Sequence, residues 1–191
     1  VDQVLFTSSF GTKSVVMLTL VSRGNAGQKV HMLNTGYHFS ETIAYKDTLS
    51  EVTGLEVVEI HPDAARQQET QDAKMWESQP ARCCHYNKVM PLKAVKEVYT
   101  VWMSGVHSYQ TMNRAAMRIF EEVEGLIHFH PLIDITEGEF RFHLEKDKLP
   151  RHPLEAKGYG SIGCHHCTRP GQGRAGRWAV KEKEECGLHV S

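Results

Sequence analysis

Val4-Leu5-Phe6-Thr7-Ser8-Ser9-Phe10-Gly11-Thr12-Lys13-Ser14 is the stretch that decides the fold. A short apolar run ends in small hydroxyl residues and a glycine, and an apolar helical stretch follows at 14–23. A strand that passes through such a loop into a helix brings backbone N–H groups and the helix dipole toward an anion. The GxxxxGK spacing of a Walker A loop is missing. Taken alone, the segment fits an ordinary strand-to-helix turn with a serine cap equally well.

The same alternation continues outward from this stretch. Residues 4–7, 30–33, 55–60, 100–104 and 126–129 are short, rich in Val, Ile or Leu and bounded by turn residues, which predicts buried strands. Residues 14–23, 40–53, 64–77, 84–98 and 137–147 predict helices. Strands alternating with helices predict a doubly wound, mainly parallel α/β sheet, with a ligand at the carboxyl ends of its strands. The loops at 8–13, 34–40 and 105–112 are the ones that would meet it. Trp76, Trp102 and Met103 are expected to pack the core, and His31, His128 and His130 have no ligand spacing.

After Leu149 the chain becomes rich in Gly, His, Cys and basic residues and ends in Glu185-Cys186-Gly187-Leu188-His189-Val190-Ser191. Two parts are therefore expected: an α/β body over 1–149 and a C-terminal segment over 150–191 that folds back over the sheet or stays mobile. The 191 residues suffice for one ordinary domain, and 22 basic against 23 acidic residues give a net charge of −1. That balance excludes the broad basic field of a general nucleic-acid binder. The longest apolar run, 15–21, is interrupted by Thr19 and is too short to cross a bilayer, so a cytoplasmic protein is expected. The chain opens at Val1 directly on a strand-like segment, which suggests that residues upstream are missing.

The five cysteines form an adjacent pair, Cys83-Cys84, a CxxC, Cys164-His165-His166-Cys167, and a single Cys186. Adjacent cysteines rarely bond each other, and the count is odd, so metal or redox chemistry fits better than a disulfide framework. Four thiolates can close a zinc site or hold a [4Fe–4S] cluster. Neighbouring ligands must bend sharply to share one zinc ion but can reach separate irons. His165 and His166 are then expected to be exposed spacers. Cys186 has Arg174, Arg177, Lys181, Lys183 and His189 within fifteen residues, an electropositive setting that suits a thiolate nucleophile. Arg174 and Arg177 could clamp oxyanions bidentately.

These pieces, in this order, resemble the phosphoadenylyl-sulfate and adenylyl-sulfate reductase family over nearly the whole chain. The resemblance is carried by Ser8-Ser9-Phe10-Gly11, by Thr35-Gly36-Tyr37-His38-Phe39 with Glu41-Thr42, and by Cys83-Cys84 with Lys88, Pro91 and Leu92. It continues through Gly158-Tyr159, Ser161-Ile162-Gly163-Cys164, Cys167-Thr168-Arg169-Pro170, Arg174 to Trp178 and Glu185-Cys186-Gly187-Leu188-His189. The last motif together with both cysteine pairs is highly specific.

The resemblance implies an adenine-nucleotide hydrolase-like fold whose first loop (Ser8, Ser9, Phe10, Gly11) and second loop (Thr35, Gly36) hold the nucleotide. It implies a [4Fe–4S] cluster on Cys83, Cys84, Cys164 and Cys167, with Lys88 between cluster and substrate. Arg174, Arg177 and His189 match positions that contact the phosphosulfate. Cys186 matches the nucleophile, which would form an S-sulfocysteine that thioredoxin, or a glutaredoxin-like thiol donor, reduces to release sulfite. A homo-oligomer is also implied. Possession of the cluster cysteines implies adenylyl sulfate as substrate, with the 3′-phosphorylated form as the alternative, for which Lys13 is a candidate contact. Glu41 reads equally well as a first-turn helix charge.

The family usually has Gly-Leu-Arg-Arg where this chain has Gly105-Val106-His107-Ser108, an arginine where Asn87 stands, and often Asp in place of Asn34. These departures leave two other readings to weigh: a zinc-stapled nucleotide-binding module without catalysis, and a partner subunit whose cluster serves electron transfer or assembly. The retained Arg114, Arg169, Arg174 and Arg177 favour an enzyme.

Overall fold

The computed structural model describes residues 3–178, 183 and 185–189. In chain order it comprises β1 (Val4–Thr7), α1 (Ser14–Gly24), β2 (Val30–Leu33), α2 (Ser40–Thr53), β3 (Val57–Ile60), α3 (Ala64–Asp72), α4 (Met75–Ser78) and α5 (Pro80–Cys84). A π-helical turn, His85–Val89, leads into α6 (Met90–Lys96). Then come β4 (Val101–Ser104), α7 (Met112–Ala115), β5 (Phe120–Val123), β6 (Leu126–Phe129) and α8 (Glu137–Lys146).

The strands form one sheet in the order β3-β2-β1-β4-β6-β5. All neighbours are parallel except β5 and β6. Side-chain alternation divides the core in two. Phe6, Val30, Met32 and Met103 point to the face covered by Val15, Val16 and Leu18 of α1, Tyr45 and Leu49 of α2, and Phe140 and Leu144 of α8. Leu5, Ile60 and Trp102 point to the opposite face, under Leu92 of α6. Both faces are covered, as a parallel sheet requires. Strand order reverses about β1 and β4, so the crevice outside Thr7 and Ser104 is the topological switch point.

Several expected boundaries change under tertiary packing. The strand expected at 55–60 starts at Val57, where Leu55 is a core residue whose carbonyl accepts from Ser50 Oγ at 2.8 Å. The one expected at 100–104 starts at Val101. The helix expected at 64–77 breaks at Lys74 (φ 42°), and the break lets Met75 and Trp76 pack on Tyr37 and Cys83. The helix expected at 84–98 starts at Pro80, in the first-turn position that proline favours, and ends at Lys96. β5 was not expected. It closes onto β6 through Glu124 (φ 51°) and Gly125 (φ 79°), the two positive φ values of a type I′ hairpin.

The described tail residues fold back onto the body: Leu188 packs on the Leu5–Trp102 cluster. Among the described residues, no helix is long and apolar enough to cross a membrane.

Candidate active site

The switch-point cleft is walled by the loops after β1 and β4, the 161–163 segment, the arginine loop and the tail. In the first loop the Phe10 N–H donates to Ser8 Oγ at 3.2 Å, and Phe10 takes φ 49°. This turn aims the Phe10 ring into the core, where it is 1 % exposed, and leaves Ser8, Ser9 and Gly11 on the cleft. Phe10 thus shapes the loop from behind. Lys13 precedes α1 with no side-chain cap, the Ser14 N–H donates to the Gly11 carbonyl at 3.1 Å, and the positive end of the helix lies beside the cleft.

The second loop is placed differently from expectation. Thr35 Oγ1 is 3.5 Å from Cys164 Sγ and accepts from the Tyr37 N–H at 3.2 Å. Gly36 (φ 73°) lies against Gln67, where a Cβ would meet Nε2 at 2.6 Å. Thr35 and Gly36 therefore stand on the cysteine side, and this region gives the cleft Leu33, His38 and Thr42 instead.

Cys83, Cys84, Cys164 and Cys167 border one cavity beside the cleft. The π turn after Cys84, His85–Val89, carries Asn87 and Lys88. Asn87 Nδ2 donates to the Cys83 carbonyl at 2.9 Å and to Thr70 Oγ1 at 3.1 Å, and lies 3.7 Å from Cys83 Sγ. Lys88 lines both the cysteine cavity and the cleft, as do Arg177 and Trp178. Burial pushes the Cys83 thiol up to about 12 and raises that of Cys84. Burial acts the same way on Cys164, but the Lys88 ammonium, the Thr35 hydroxyl and Arg177 outweigh it and hold that thiol below its ordinary value. For Lys88, burial disfavours the charge, and the Cys164, Cys186 and Cys84 sulfurs more than offset it, so the ammonium is held. His165 and His166 are not exposed spacers. Both are half-buried; His165 Nδ1 lies 2.9 Å from the Tyr37 carbonyl, and His166 stacks on Trp76 with ring centroids 3.8 Å apart.

The arginine loop is compact because its glycines allow it. A Cβ on Gly176 would stand 1.9 Å from the Arg169 carbonyl oxygen. Thr168 bridges to Arg177, and Arg177 lies over the Trp178 ring at 4.3 Å. Arg174 and Arg177 both reach the cleft, where burial lowers the Arg174 guanidinium to about 10.

The tail brings Cys186 and His189 to the same cleft. His189 stacks on Trp102 at 4.7 Å, and burial holds its imidazole far below the ordinary value. Its carbonyl accepts from Asn113 Nδ2 at 2.6 Å. Lys183 donates to the Pro80 carbonyl at 3.3 Å; Lys181 lies outside the described residues. Glu185, whose role the sequence did not disclose, forms a bidentate pair with Arg114. His38, which belongs to the second-loop motif without a role of its own, also stands on the cleft wall. At the departures from the family pattern, His107 is buried with its ring edge-on to Phe140, and neither it nor Ser108 reaches the cleft.

Known proteins share this architecture. The phosphoadenylyl-sulfate (PAPS) reductase of Candida auris superposes with a TM-score of 0.72 at 19 % identity, over 88 % of this chain and 84 % of that one, a likeness of fold. In sequence, the chain is 36 % identical to the adenosine 5′-phosphosulfate reductase of Bacillus cereus (strain B4264), over 98 % of this chain and 84 % of the relative. It is 35 % identical to the protein of that name from Mesorhizobium japonicum, over 100 % of this chain and 77 % of the relative. The profile of the phosphoadenosine phosphosulfate reductase domain matches residues 3–170. With its parallel sheet, switch-point cleft and paired cysteines, the chain belongs to the phosphoadenosine phosphosulfate reductase domain family.

Proposed function

We propose that the protein is an adenylyl-sulfate reductase, converting adenylyl sulfate and thiol electrons to sulfite and AMP. The observation that carries this reading is the meeting of Cys186 with Lys88, Arg174 and Arg177 in one cleft, at the switch point of the sheet.

The first loop and the start of α1 would receive the nucleotide phosphate through backbone N–H groups, with Ser8, Ser9 and Gly11 on the cleft side. Lys88, Arg174 and Arg177 would hold the phosphosulfate oxygens, with His189 beside them. The Cys186 thiolate attacks the sulfate sulfur as the bond from that sulfur to the bridging oxygen breaks. AMP leaves with the electron pair, and the positive groups stabilise the charge that builds on its phosphate. The product is an S-sulfocysteine. A dithiol reductant of the thioredoxin or glutaredoxin class then attacks the Cys186 sulfur, expels sulfite, and resolves the mixed disulfide with its second thiol, ending oxidised while Cys186 returns to a thiol.

The donor set fits a [4Fe–4S] cluster on Cys83, Cys84, Cys164 and Cys167. The four thiols border one cavity, and two of them, Cys83 and Cys84, are adjacent in the chain. Adjacent ligands must bend sharply to share one tetrahedral zinc but can reach separate irons of a cluster. A bound cluster would supply a fixed charge and a rigid tie between the body and the 150–191 segment, with Lys88 facing both it and the cleft.

Adenylyl sulfate is favoured over its 3′-phosphorylated form by the curated relatives' names and by the state of Lys13. Its ammonium is 3.6 Å from Glu137 Oε1 and lies over the Phe140 ring, so the candidate contact for an extra phosphate is engaged.

The test is to purify the protein without oxygen, record its visible spectrum and iron content, and weigh it intact after adding adenylyl sulfate without reductant. Brown protein that gains one sulfonate on Cys186, with Cys186→Ser inert, is the expected result. Brown protein without an adduct from either nucleotide would sink the enzymatic reading, and colourless zinc protein would sink the cluster.

A further inference from the structure

The Glu185 carboxylate accepts four hydrogen bonds. Thr111 Oγ1 and Arg114 Nε donate to Oε1 at 3.1 and 2.7 Å. Arg114 Nη2 and Arg174 Nη2 donate to Oε2 at 3.1 and 3.3 Å. Both partners are buried, with side chains 10 % and 6 % exposed for Arg114 and Glu185. Thr111 Oγ1 also accepts from the Arg114 N–H at 3.2 Å, which fixes the short helix α7 that presents the guanidinium.

This is an uncommon investment for one tail residue. Ordering a polar segment costs about 1–2 kcal/mol per residue, and a buried charge is tolerated only when its hydrogen bonds are filled. Here all the carboxylate's acceptor positions are filled, and the donors come from two separate segments, the loop after β4 and the arginine loop. Beyond Cys186, Leu188 enters the apolar cluster and His189 stacks on Trp102. Cys186 is therefore tied down on both sides, by a charge-specific lock before it and by packing after it. Of the two, only the lock depends on charge.

We propose that Glu185 is a positioning residue that docks on Arg114 and so holds the Cys186 thiol in the cleft. The proposal rests on the reading of Cys186 as the nucleophile. Release of this lock is also what would lift the sulfur toward an external thiol, so the strength of the pair sets how often Cys186 faces solvent.

The experiment measures alkylation of Cys186 by iodoacetamide in the nucleotide-free protein purified without oxygen, read on the Cys186 peptide by mass spectrometry. Glu185→Gln keeps the shape and removes the charge, and Cys186 should react about tenfold faster, as expected when charge-assisted hydrogen bonds are lost. In the same variant the Cys186 sulfonation rate at saturating adenylyl sulfate should fall, while AMP binds no more weakly than to the parent protein. Glu185→Asp keeps the charge but is too short to span all four donors, so it should fall between. It also decides the matter if the Gln variant fails to fold. Alkylation at the parent rate in the variants would overturn the proposal. Faster alkylation combined with a parent protein that adenylyl sulfate never sulfonates would uphold the lock and sink the nucleophile reading instead.

Discussion

The guanidinium of Arg177 lies across the α-carbon of Gly163, so close that a Cβ there would stand 2.4 Å from Nη2 and 2.5 Å from Cζ. Gly163 immediately precedes Cys164, so one backbone position serves the cysteine cavity and the cleft-lining Arg177 together. A methyl group at 163 would displace the guanidinium and leave the sheet untouched. Gly163→Ala should lower the single-turnover sulfonation rate of Cys186 by about a hundredfold, the cost of roughly 1 Å of misplacement. The thermal midpoint should barely move, and an undiminished rate would show that Arg177 is not used.

Lys88 faces the cysteine cavity on one side and the cleft on the other. Lys88→Met keeps the length of the side chain and removes the charge. Sulfonation at saturating adenylyl sulfate should drop by about 10²–10³-fold, the range seen when one preorganised donor to a developing charge is lost. With the proposed cluster bound, iron release to a chelator should also accelerate, because Cys164 loses the largest influence that lowers its pKa.

His152 links the body to the C-terminal segment as a neutral imidazole. Its Nδ1 accepts from the Leu154 N–H at 3.1 Å, and its Nε2 lies 3.1 Å from Thr42 Oγ1. Burial lowers its pKa to about 4 against an ordinary 6.5. The unfolded chain therefore binds a proton between these values that the folded chain refuses, so stability is full above pH 6.5 and falls as pH drops toward 4. From pH 7 to 5 this group alone should remove about 2 kcal/mol. In urea titrations at the two pH values, His152→Gln should shrink the difference by that amount; an unchanged difference would count against the neutral His152.

The N-terminus of α8 tests stability apart from chemistry. Thr136 Oγ1 accepts from the Glu139 N–H at 3.2 Å, and Glu139 Oε2 accepts from the Thr136 N–H at 2.8 Å, a complete capping box. Thr136→Ala should cost about 1 kcal/mol in a denaturant titration. Sulfonation of Cys186 should be unaffected, since neither residue lines the cleft.

Much of the fold was legible because its signals are local. Apolar runs bounded by turns gave five of the strands, and alternation with helices gave their parallel pairing. The unexpected strand β5 has an exposed Phe120 and two glutamates, so it lacks the apolar run by which a buried strand is recognised. Its one local cue was Glu124-Gly125, a weaker hairpin signal than Asn-Gly. The break at Lys74 had no cue, since no glycine or proline marks it and packing on Tyr37 decides it.

By itself the sequence determined which chemical groups this protein has: four paired thiols, a fifth in a basic tail, two arginines in a glycine loop and a hydroxyl-rich turn after the first strand. Residue type and spacing are written along the chain, and so is the order of strands and helices. Tertiary structure alone decided which groups meet. Thr35 came to lie beside Cys164, 129 residues away. Phe10 turned into the core, His166 found Trp76, and Glu185 closed on Arg114 across 71 residues. Contacts of such separation follow from how the sheet, its covering helices and the returning tail pack, and no local periodicity encodes them.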